Sequence, residues 1–133
     1  MPESKSDQAF PVIVAVDDDL TAGIIEACLR DAGYPVLRAQ HGVHALKIVN
    51  KNKVRVVILD LNTSRRTGLE VIRLLRTHEA RDFMRVLALT VQNRSDAEDD
   101  AREAGADDFL MRPFNPGELV RRVDRLYSRV AAA

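Results

Sequence analysis

The sequence predicts a single α/β domain built on a parallel sheet, with helices on both faces. Strand-like and helix-like segments alternate along the 133 residues, a pattern typical of a doubly wound fold. The central segment, Val54 to Asn62, is a short run rich in β-branched residues, as expected for a strand buried on both faces. Carboxylates follow two of the strands directly, which places charge at the sheet edge where such folds bind ligands.

The first half of the chain gives three strands and two helices. We expect strands at 12–16 and 35–39, and the proline and arginine of the second indicate an edge position. The helix between them ends at Gly33. A second helix covers residues 42–50, before the strand that ends at Asp60. The residues expected to face inward from these helices are Ile24, Ile25, Cys28, Leu29, Ala32, Val43, Leu46 and Val49.

The second half continues the alternation. Thr67–Glu70 and Ser95–Glu98 both have the spacing of a capping box, so each opens a helix. The second of these helices turns only alanines inward, and we therefore expect it to be the most loosely held. Strands are expected at 85–89 and 108–111. A last helix begins after Asn115, with a proline at its first position and a solvated face marked by four arginines. Its expected buried stripe is Leu119, Val120, Val123, Leu126, Tyr127 and Val130.

Composition narrows the possible functions. Twenty basic and twenty acidic side chains cancel, so no overall field favours nucleic acid or an anionic membrane. No apolar run approaches the roughly 20 residues of a membrane span, and the N-terminus lacks the apolar region of a signal peptide. The one cysteine cannot form an intramolecular disulfide. We expect a cytoplasmic protein without direct nucleic-acid or membrane binding, with a flexible tail at 1–10 and a short one at 131–133.

Polar side chains stand where the predicted strands end. Asp17 and Asp18 follow the first strand, Asp60 ends the third, Thr90 ends the fourth, and Arg112 follows the fifth. In a parallel sheet these ends meet at one edge. Three carboxylates within a few ångströms repel by up to about 4 kcal/mol per pair at an effective dielectric near 20. A hard, oxygen-seeking cation such as Mg²⁺ would relieve this repulsion. Capping of the following helix is the alternative use of the first acids.

These segments resemble the receiver domains of two-component response regulators over residues 12–130. The motifs that carry the resemblance are VDDD at 16–19, ILDLN at 58–62, GLE at 68–70, ALT at 88–90 and GADDFLMRPF at 105–114. The resemblance implies a flavodoxin-like sheet of order 2-1-3-4-5 and a receiver domain at 11–130. It also implies a phosphorylation-dependent signalling switch rather than an enzyme.

The resemblance also assigns roles at the site. Asp60 is the expected acceptor of a phosphoryl group from a sensor histidine kinase or phosphotransfer protein. Carboxylates of Asp18 and Asp60 and the backbone carbonyl of Asn62 would ligate Mg²⁺, with Asp17 acting through water. The basic residue Arg112 would contact the phosphoryl group.

The remaining implied roles concern signalling. Thr90 would donate its hydroxyl to the phosphoryl group, and Phe109 would fill the aromatic switch position. A downstream protein would bind the face formed by the fourth helix, fifth strand and fifth helix, on a monomer or weak homodimer. The chain carries one receiver-sized unit, which fits either a stand-alone regulator or part of a longer one.

Three residues depart from the family pattern. Arg112 stands where a lysine is usual, and arginine is planar and bulkier, so the exchange is not conservative. Val91 replaces a small residue and Ser64 replaces a proline. These departures favour an alternative, a pseudo-receiver that signals by protein interaction without phosphorylation.

Other readings are weaker. A haloacid-dehalogenase-like phosphatase would need a second aspartate where Asn62 stands, and no glycine-rich phosphate loop supports nucleotide binding. His41 and His44 have the spacing of a metal pair, but a solvated helix start is the preferred interpretation because no carboxylate or cysteine accompanies them.

Overall fold

Five parallel strands form one sheet in the order β2-β1-β3-β4-β5 in the computed structural model of the protein. The structure describes residues 10–62, 67–91 and 95–132. The predicted fold class and strand order are confirmed. The elements are β1 (Val12–Ala15), α1 (Asp19–Asp31), β2 (Val36–Ala39), α2 (Gly42–Lys51), β3 (Val56–Asp60), α3 (Gly68–Leu75), β4 (Arg85–Val91), α4 (Ser95–Ala104), β5 (Asp108–Arg112) and α5 (Pro116–Ala132).

The strands divide their side chains between two cores, because successive residues of a strand point to opposite faces of the sheet. In β3, Val56 and Ile58 join the core under α1 and α5. Val57 and Leu59 join the core under α2, α3 and α4. All four are fully buried, which explains why this strand reads as a continuous apolar run.

The buried face of α1 is narrower than the sequence predicted. Ala22, Ile25 and Leu29 are buried, at spacings of three and four residues. Ile24 is 46% exposed, so the expectation that it faces inward is wrong. One residue of helix turns the side-chain direction by about 100°, which carries Ile24 out of the stripe that includes its neighbour.

Helix starts follow the predicted capping. Thr67 and Glu70 form both hydrogen bonds of a capping box at the start of α3. Asn115 Oδ1 accepts hydrogen bonds from the N–H groups of Gly117 at 2.7 Å and Glu118 at 3.3 Å, at the start of α5. The side chain of Ser95, which belongs to the other predicted capping box, lies outside the described residues.

The two histidines at the start of α2 accept hydrogen bonds from backbone N–H groups. His41 Nδ1 accepts a hydrogen bond from the N–H of His44 at 3.2 Å. The Nδ1 atom of His44 accepts one from the N–H of Gln40 at 3.0 Å. This arrangement fits the preferred interpretation of the pair as part of a helix start.

Phe10 and the last helix lie at the two ends of the described part of the chain. Residues 1–9 of the predicted tail lie outside the described residues, but the Phe10 ring packs edge-to-face on Phe83 with centroids 5.0 Å apart.

Helix α5 continues to Ala132. Its arginines are not all solvated, since Arg122 donates to Asp108 at 2.8 Å and to the Phe109 carbonyl at 2.7 Å. Among the helices described, none has the length and apolar character needed to cross a membrane.

Candidate functional site

The strand register brings the predicted polar residues to one edge of the sheet. Asp60, the last residue of β3, pairs with Leu89 of β4, and Thr90 is the next residue along β4. Ala15 of β1 pairs with Leu59, so the acids that follow β1 reach the same edge. Asp60 is 4% exposed and Thr90 is 2% exposed. The edge therefore combines two nearly buried polar residues with an exposed carboxylate, since the Asp18 side chain is 53% exposed.

The Asp60 carboxylate is held by two donors. Its Oδ2 atom accepts a hydrogen bond from Nη1 of Arg112 at 2.6 Å, and its Oδ1 atom accepts one from the N–H of Asn62 at 3.0 Å. Asp60 and Arg112 continue the sheet face that packs on α1 and α5, so the guanidinium reaches the carboxylate directly. The ion pair allows a carboxylate to remain in a nearly buried position.

Arg112 also contacts the start of α1. Its Nη2 atom donates to Oγ1 of Thr21 at 3.3 Å and lies 4.0 Å from Oδ2 of Asp18. A planar guanidinium can engage two separate acceptors in this way, whereas an ammonium group is a single point charge. The arginine therefore links the end of β3 to the first turn of α1.

Asp18 caps α1. Its two carboxylate oxygens accept hydrogen bonds from the N–H groups of Leu20 and Thr21, each at 3.3 Å, and the Thr21 hydroxyl donates to Oδ2 as well. The hydroxyl of Thr21 is the main reason that the pKa of Asp18 lies below its ordinary value. The alternative use expected for the first acids, capping of the following helix, is thus present for Asp18.

Asp17 behaves differently. Its Oδ1 atom is buried and has no hydrogen-bond partner among the described residues. A buried carboxylate oxygen without a donor is costly unless water or a cation satisfies it. Side chains alone provide no ready cage, since the described part of the chain contains no group of three or more His, Cys, Asp or Glu placed to hold a metal ion.

The oxygen donors at this edge fit Mg²⁺ rather than a softer metal. Mg²⁺ is usually held by one or two carboxylates and keeps several waters, so it does not need a cage built entirely from protein ligands. The carboxylates of Asp17 and Asp60 and the backbone carbonyl of Asn62 are hard oxygen donors of this kind. The observation that supports the fit is the buried Oδ1 atom of Asp17, which accepts no hydrogen bond from the part of the chain that the structure describes.

The predicted relay residues lie on the other face of the sheet. Thr90 and Phe109 continue the face that packs on α4. The Thr90 hydroxyl is buried and has no hydrogen-bond partner among the described residues. The Phe109 ring is 9% exposed, and the Arg102 guanidinium of α4 stacks on it at 4.7 Å from the ring centre. A cavity of about 210 Å³ adjoins Thr90, lined by Leu61, Asn62, Thr67, Leu69, Thr90, Ala97 and Asp100.

Some contributors to the site were missed from the sequence. Thr21 lies three residues after Asp18, a spacing at which a helix N-cap meets a threonine, and that spacing was the available signal. Arg102 gave no signal, because it sits in a helix whose only apolar residues are alanines. Of the three departures from the family pattern, Ser64 and the side chain of Val91 lie outside the described residues.

Comparisons with known proteins identify the family. The sequence profile described as "Response regulator receiver domain" matches residues 12–124. The chain is 35% identical over 120 residues to the response regulator MprA of Mycobacterium sp. (strain KMS), covering 90% of this chain and 51% of that protein. It is 34% identical over 120 residues to the transcriptional regulatory protein PrrA of Mycobacterium tuberculosis, with the same coverage.

Solved structures agree. A protein from Chloroflexus aurantiacus described as a response regulator superposes with a TM-score of 0.86 at 36% identity, over 90% of this chain and 98% of that one. The chemotaxis response regulator CheY4 of Vibrio cholerae superposes with a TM-score of 0.82 at 29% identity, over 88% and 98%. The chain spans about half the length of the curated relatives described above. It belongs to the family of response regulator receiver domains of two-component systems.

Proposed function

We propose that this domain is a phosphorylation-dependent switch and that Asp60 is its phosphoacceptor. The observation that carries the proposal is the carboxylate of Asp60, nearly buried at the end of β3 and held at 2.6 Å by the guanidinium of Arg112. A nucleophile needs a fixed position and a neighbouring positive charge for an incoming phosphoryl group. Receiver domains in general serve as such switches.

The proposed reaction transfers a phosphoryl group from a phosphohistidine of a sensor kinase or phosphotransfer protein. One oxygen of Asp60 forms a bond to phosphorus, and the bond between phosphorus and the donor imidazole nitrogen breaks. The electron pair of that bond stays on the imidazole nitrogen. Arg112 already contacts Oδ2 and is placed to balance the charge of the phosphoryl oxygens, while the Asn62 N–H holds Oδ1.

Mg²⁺ is the proposed cofactor. Asp60, Asp18 and the backbone carbonyl of Asn62 would hold it, with Asp17 acting through water. When bound, the ion supplies positive charge that offsets the charge of the phosphoryl oxygens. Asp18 can join this set while it caps α1, because its Oδ1 atom accepts one hydrogen bond and keeps a lone pair. The Oδ1 atom of Asp17 accepts no hydrogen bond from the described residues.

Thr90 is the proposed first step of the relay. A phosphoryl group on Asp60 brings negative charge and new acceptor oxygens to the edge of the sheet. The Thr90 hydroxyl, which has no partner among the residues described, would turn to donate to one of them. Movement of Thr90 would change the packing beside α4 and at Phe109, and so alter the face of α4, β5 and α5 that we propose as the binding site for a downstream protein.

Phosphorylation of Asp60 is tested with acetyl phosphate and Mg²⁺. We expect intact-mass measurement to show one added phosphoryl group, with acetate as the leaving group, and no addition to Asp60→Asn. Asp108→Asn is the matched control, because Asp108 lies at the first residue of β5, at the opposite end of the strand from Arg112, and pairs with Arg122. An adduct that survives Asp60→Asn would show that another carboxylate is the acceptor.

The pseudo-receiver is the second candidate, and the geometry of Arg112 favours it. The guanidinium is already engaged by Asp60 and Thr21. A side chain tied to both partners would resist the movement that an entering phosphoryl group requires. Complete absence of the acetyl phosphate adduct in the wild-type protein, with Mg²⁺ present, would favour this function over the switch.

A further inference from the structure

Arg38, on the edge strand β2, holds the backbone immediately before the acidic loop. Its Nη2 atom donates to the carbonyl oxygen of Val16 at 2.8 Å and to Oδ1 of Asp19 at 3.0 Å. The Arg38 side chain is only 20% exposed. Its Nη1 atom lies 3.9 Å from Oε2 of Glu26 on α1. One side chain therefore ties β2, the end of β1 and the start of α1 together.

The contact with Val16 determines the geometry of the next residue. Val16 is fully buried, so its carbonyl oxygen needs a partner within the fold. This carbonyl and the N–H of Asp17 belong to one planar peptide group. By holding the oxygen, Arg38 fixes the orientation of that plane and thus the direction in which the Asp17 side chain leaves the backbone.

Asp17 depends on this support. Its Oδ1 atom is buried and receives no hydrogen bond from the residues described. The position of that oxygen is therefore set by the backbone rather than by a donor of its own. The contact of Arg38 with Asp19 adds to the effect, because it holds the exposed first residue of α1 against β2.

We propose that Arg38 is a positioning residue for the phosphorylation site, which fixes Asp17 through the Val16 peptide and prepares the loop for Mg²⁺. The inference rests on the proposed function, because Mg²⁺ binding by this loop belongs to it. Charge and positioning act in opposite directions here. Removing the guanidinium deletes a positive charge and leaves Asp19 unpaired, so charge alone would tighten Mg²⁺ binding, whereas loss of positioning weakens it.

The test compares Arg38→Gln with Arg30→Gln. Arg30 is a matched control, because it also donates to a β2 carbonyl, that of Val36 at 3.2 Å, and lies 3.7 Å from the same Glu26. Both substitutions remove one positive charge. The first readout is the Kd of Mg²⁺ from backbone amide shifts in an NMR titration. The second is the hydrogen exchange of the Asp17 amide in metal-free protein, which requires no activity.

We expect the Kd of Mg²⁺ to rise about 10-fold in Arg38→Gln, the size usual for loss of a group that orients a metal ligand. The Asp17 amide should exchange faster in this variant. Arg30→Gln should match the wild type in both measurements. An unchanged or lower Kd in Arg38→Gln would overturn the inference and leave the proposed function intact. Failure of the wild-type protein to bind Mg²⁺ would instead overturn the proposed function.

Arg38→Lys keeps the test decisive if the glutamine variant does not fold. Lysine retains the charge but is a single donor point, and it cannot serve the Val16 carbonyl and Asp19 with the geometry of a planar fork. We expect Mg²⁺ binding weaker than in the wild type. Wild-type affinity in Arg38→Lys, with unchanged Asp17 exchange, would show that charge alone suffices and would overturn the positioning role.

Discussion

At the scale of single residues, Arg112 is the side chain that connects the end of β3 to α1. Its two terminal nitrogens contact different elements, Asp60 at the end of β3 and Thr21 in the first turn of α1. Thr21 in turn donates its hydroxyl to Asp18. The carboxylates of Asp60 and Asp18 are therefore connected through one guanidinium and one hydroxyl, and a change at either end is expected to affect the other.

Thr21→Val tests this connection, because valine keeps the shape of threonine and removes the hydroxyl. We expect the pKa of Asp18 to rise toward its ordinary value, since the Thr21 hydroxyl is the main cause of its lowering. A lowered pKa in the folded state stabilises the fold above the pKa of the unfolded chain, and this stability is lost as pH falls through the folded pKa. The variant should therefore be less stable than the wild type at neutral pH, and the difference should shrink as the pH falls and Asp18 becomes protonated.

Side-chain carboxyl ¹³C shifts, followed as the pH is lowered through the ordinary range of aspartate near 4, give this pKa directly. Thr77→Val is the matched control, because the Thr77 hydroxyl donates to the Leu74 carbonyl at 2.7 Å and touches no carboxylate in the contacts described. An Asp18 pKa that is the same in Thr21→Val and the wild type would contradict the prediction.

The sequence predicted which residues reach the site better than it predicted their contacts. Asp60, Thr90 and Arg112 could be placed because apolar runs define where strands end, and parallel strands bring those ends together. Rotamers determine which nitrogen of Arg112 meets which oxygen, and they depend on packing that the hydrophobic pattern does not encode. For the same reason Arg38 gave only a signal for an edge strand, and its reach to Val16 was not foreseen.

At the scale of elements, the sheet separates the proposed phosphoacceptor from the proposed relay residues. Asp60 and Arg112 continue the face packed on α1 and α5, whereas Thr90 and Phe109 continue the face packed on α4. The proposed signal from Asp60 would therefore have to pass around the end of the sheet. Helix α4, its proposed receiver, buries only alanines among its described apolar side chains, with Ala101 and Ala104 buried and Ala97 partly exposed.

We predict that α4 opens more easily than α5. A fully buried large apolar side chain contributes about 1.5–3 kcal/mol. Helix α5 has three such side chains, Leu119, Val123 and Leu126, whereas the buried side chains described for α4 are alanines. The stack of Arg102 on Phe109 is partly exposed and adds only about 0.5–1 kcal/mol.

Native-state hydrogen exchange followed by NMR measures this difference amide by amide. The central amides of α4 should exchange at least several-fold faster than those of α5 in the unphosphorylated protein. Equal protection of the two helices would show that α4 is held by contacts other than its buried side chains. The prediction concerns the helix alone and does not depend on phosphorylation.

At the scale of the whole molecule, the fold was the part most fully specified by the sequence. The alternation of strand and helix and the continuous apolar run before Asp60 require a parallel sheet covered on both faces. The sheet order followed from the family resemblance and is confirmed. Ile24 was misplaced because two adjacent isoleucines compete for one helical stripe, and only packing against the sheet selects which of them is buried.

We expect the global response to phosphorylation to depend on Arg112. In the wild type the Arg112 guanidinium contacts both Asp60 and Thr21. If the guanidinium followed a phosphoryl group on Asp60 toward β4, it would therefore have to break or strain its contact with α1. Lysine offers one ammonium group, which can follow a phosphoryl oxygen without a tie to α1. We therefore predict that Arg112→Lys leaves Asp60 modifiable and strengthens the conformational response, with larger shifts at Phe109 and along α4. The coupling at stake is on the order of 1–3 kcal/mol.

Beryllofluoride with Mg²⁺, a stable mimic of the phosphoryl group, allows the two proteins to be compared by the NMR shifts that it induces. Arg121→Lys is the matched control, because Arg121 is 67% exposed and pairs with Glu118 rather than with the site. We expect this control to respond as the wild type does. An equal or weaker response in Arg112→Lys would mean that arginine is a fully competent relay here, and that its bridge to α1 supports the transfer of the signal.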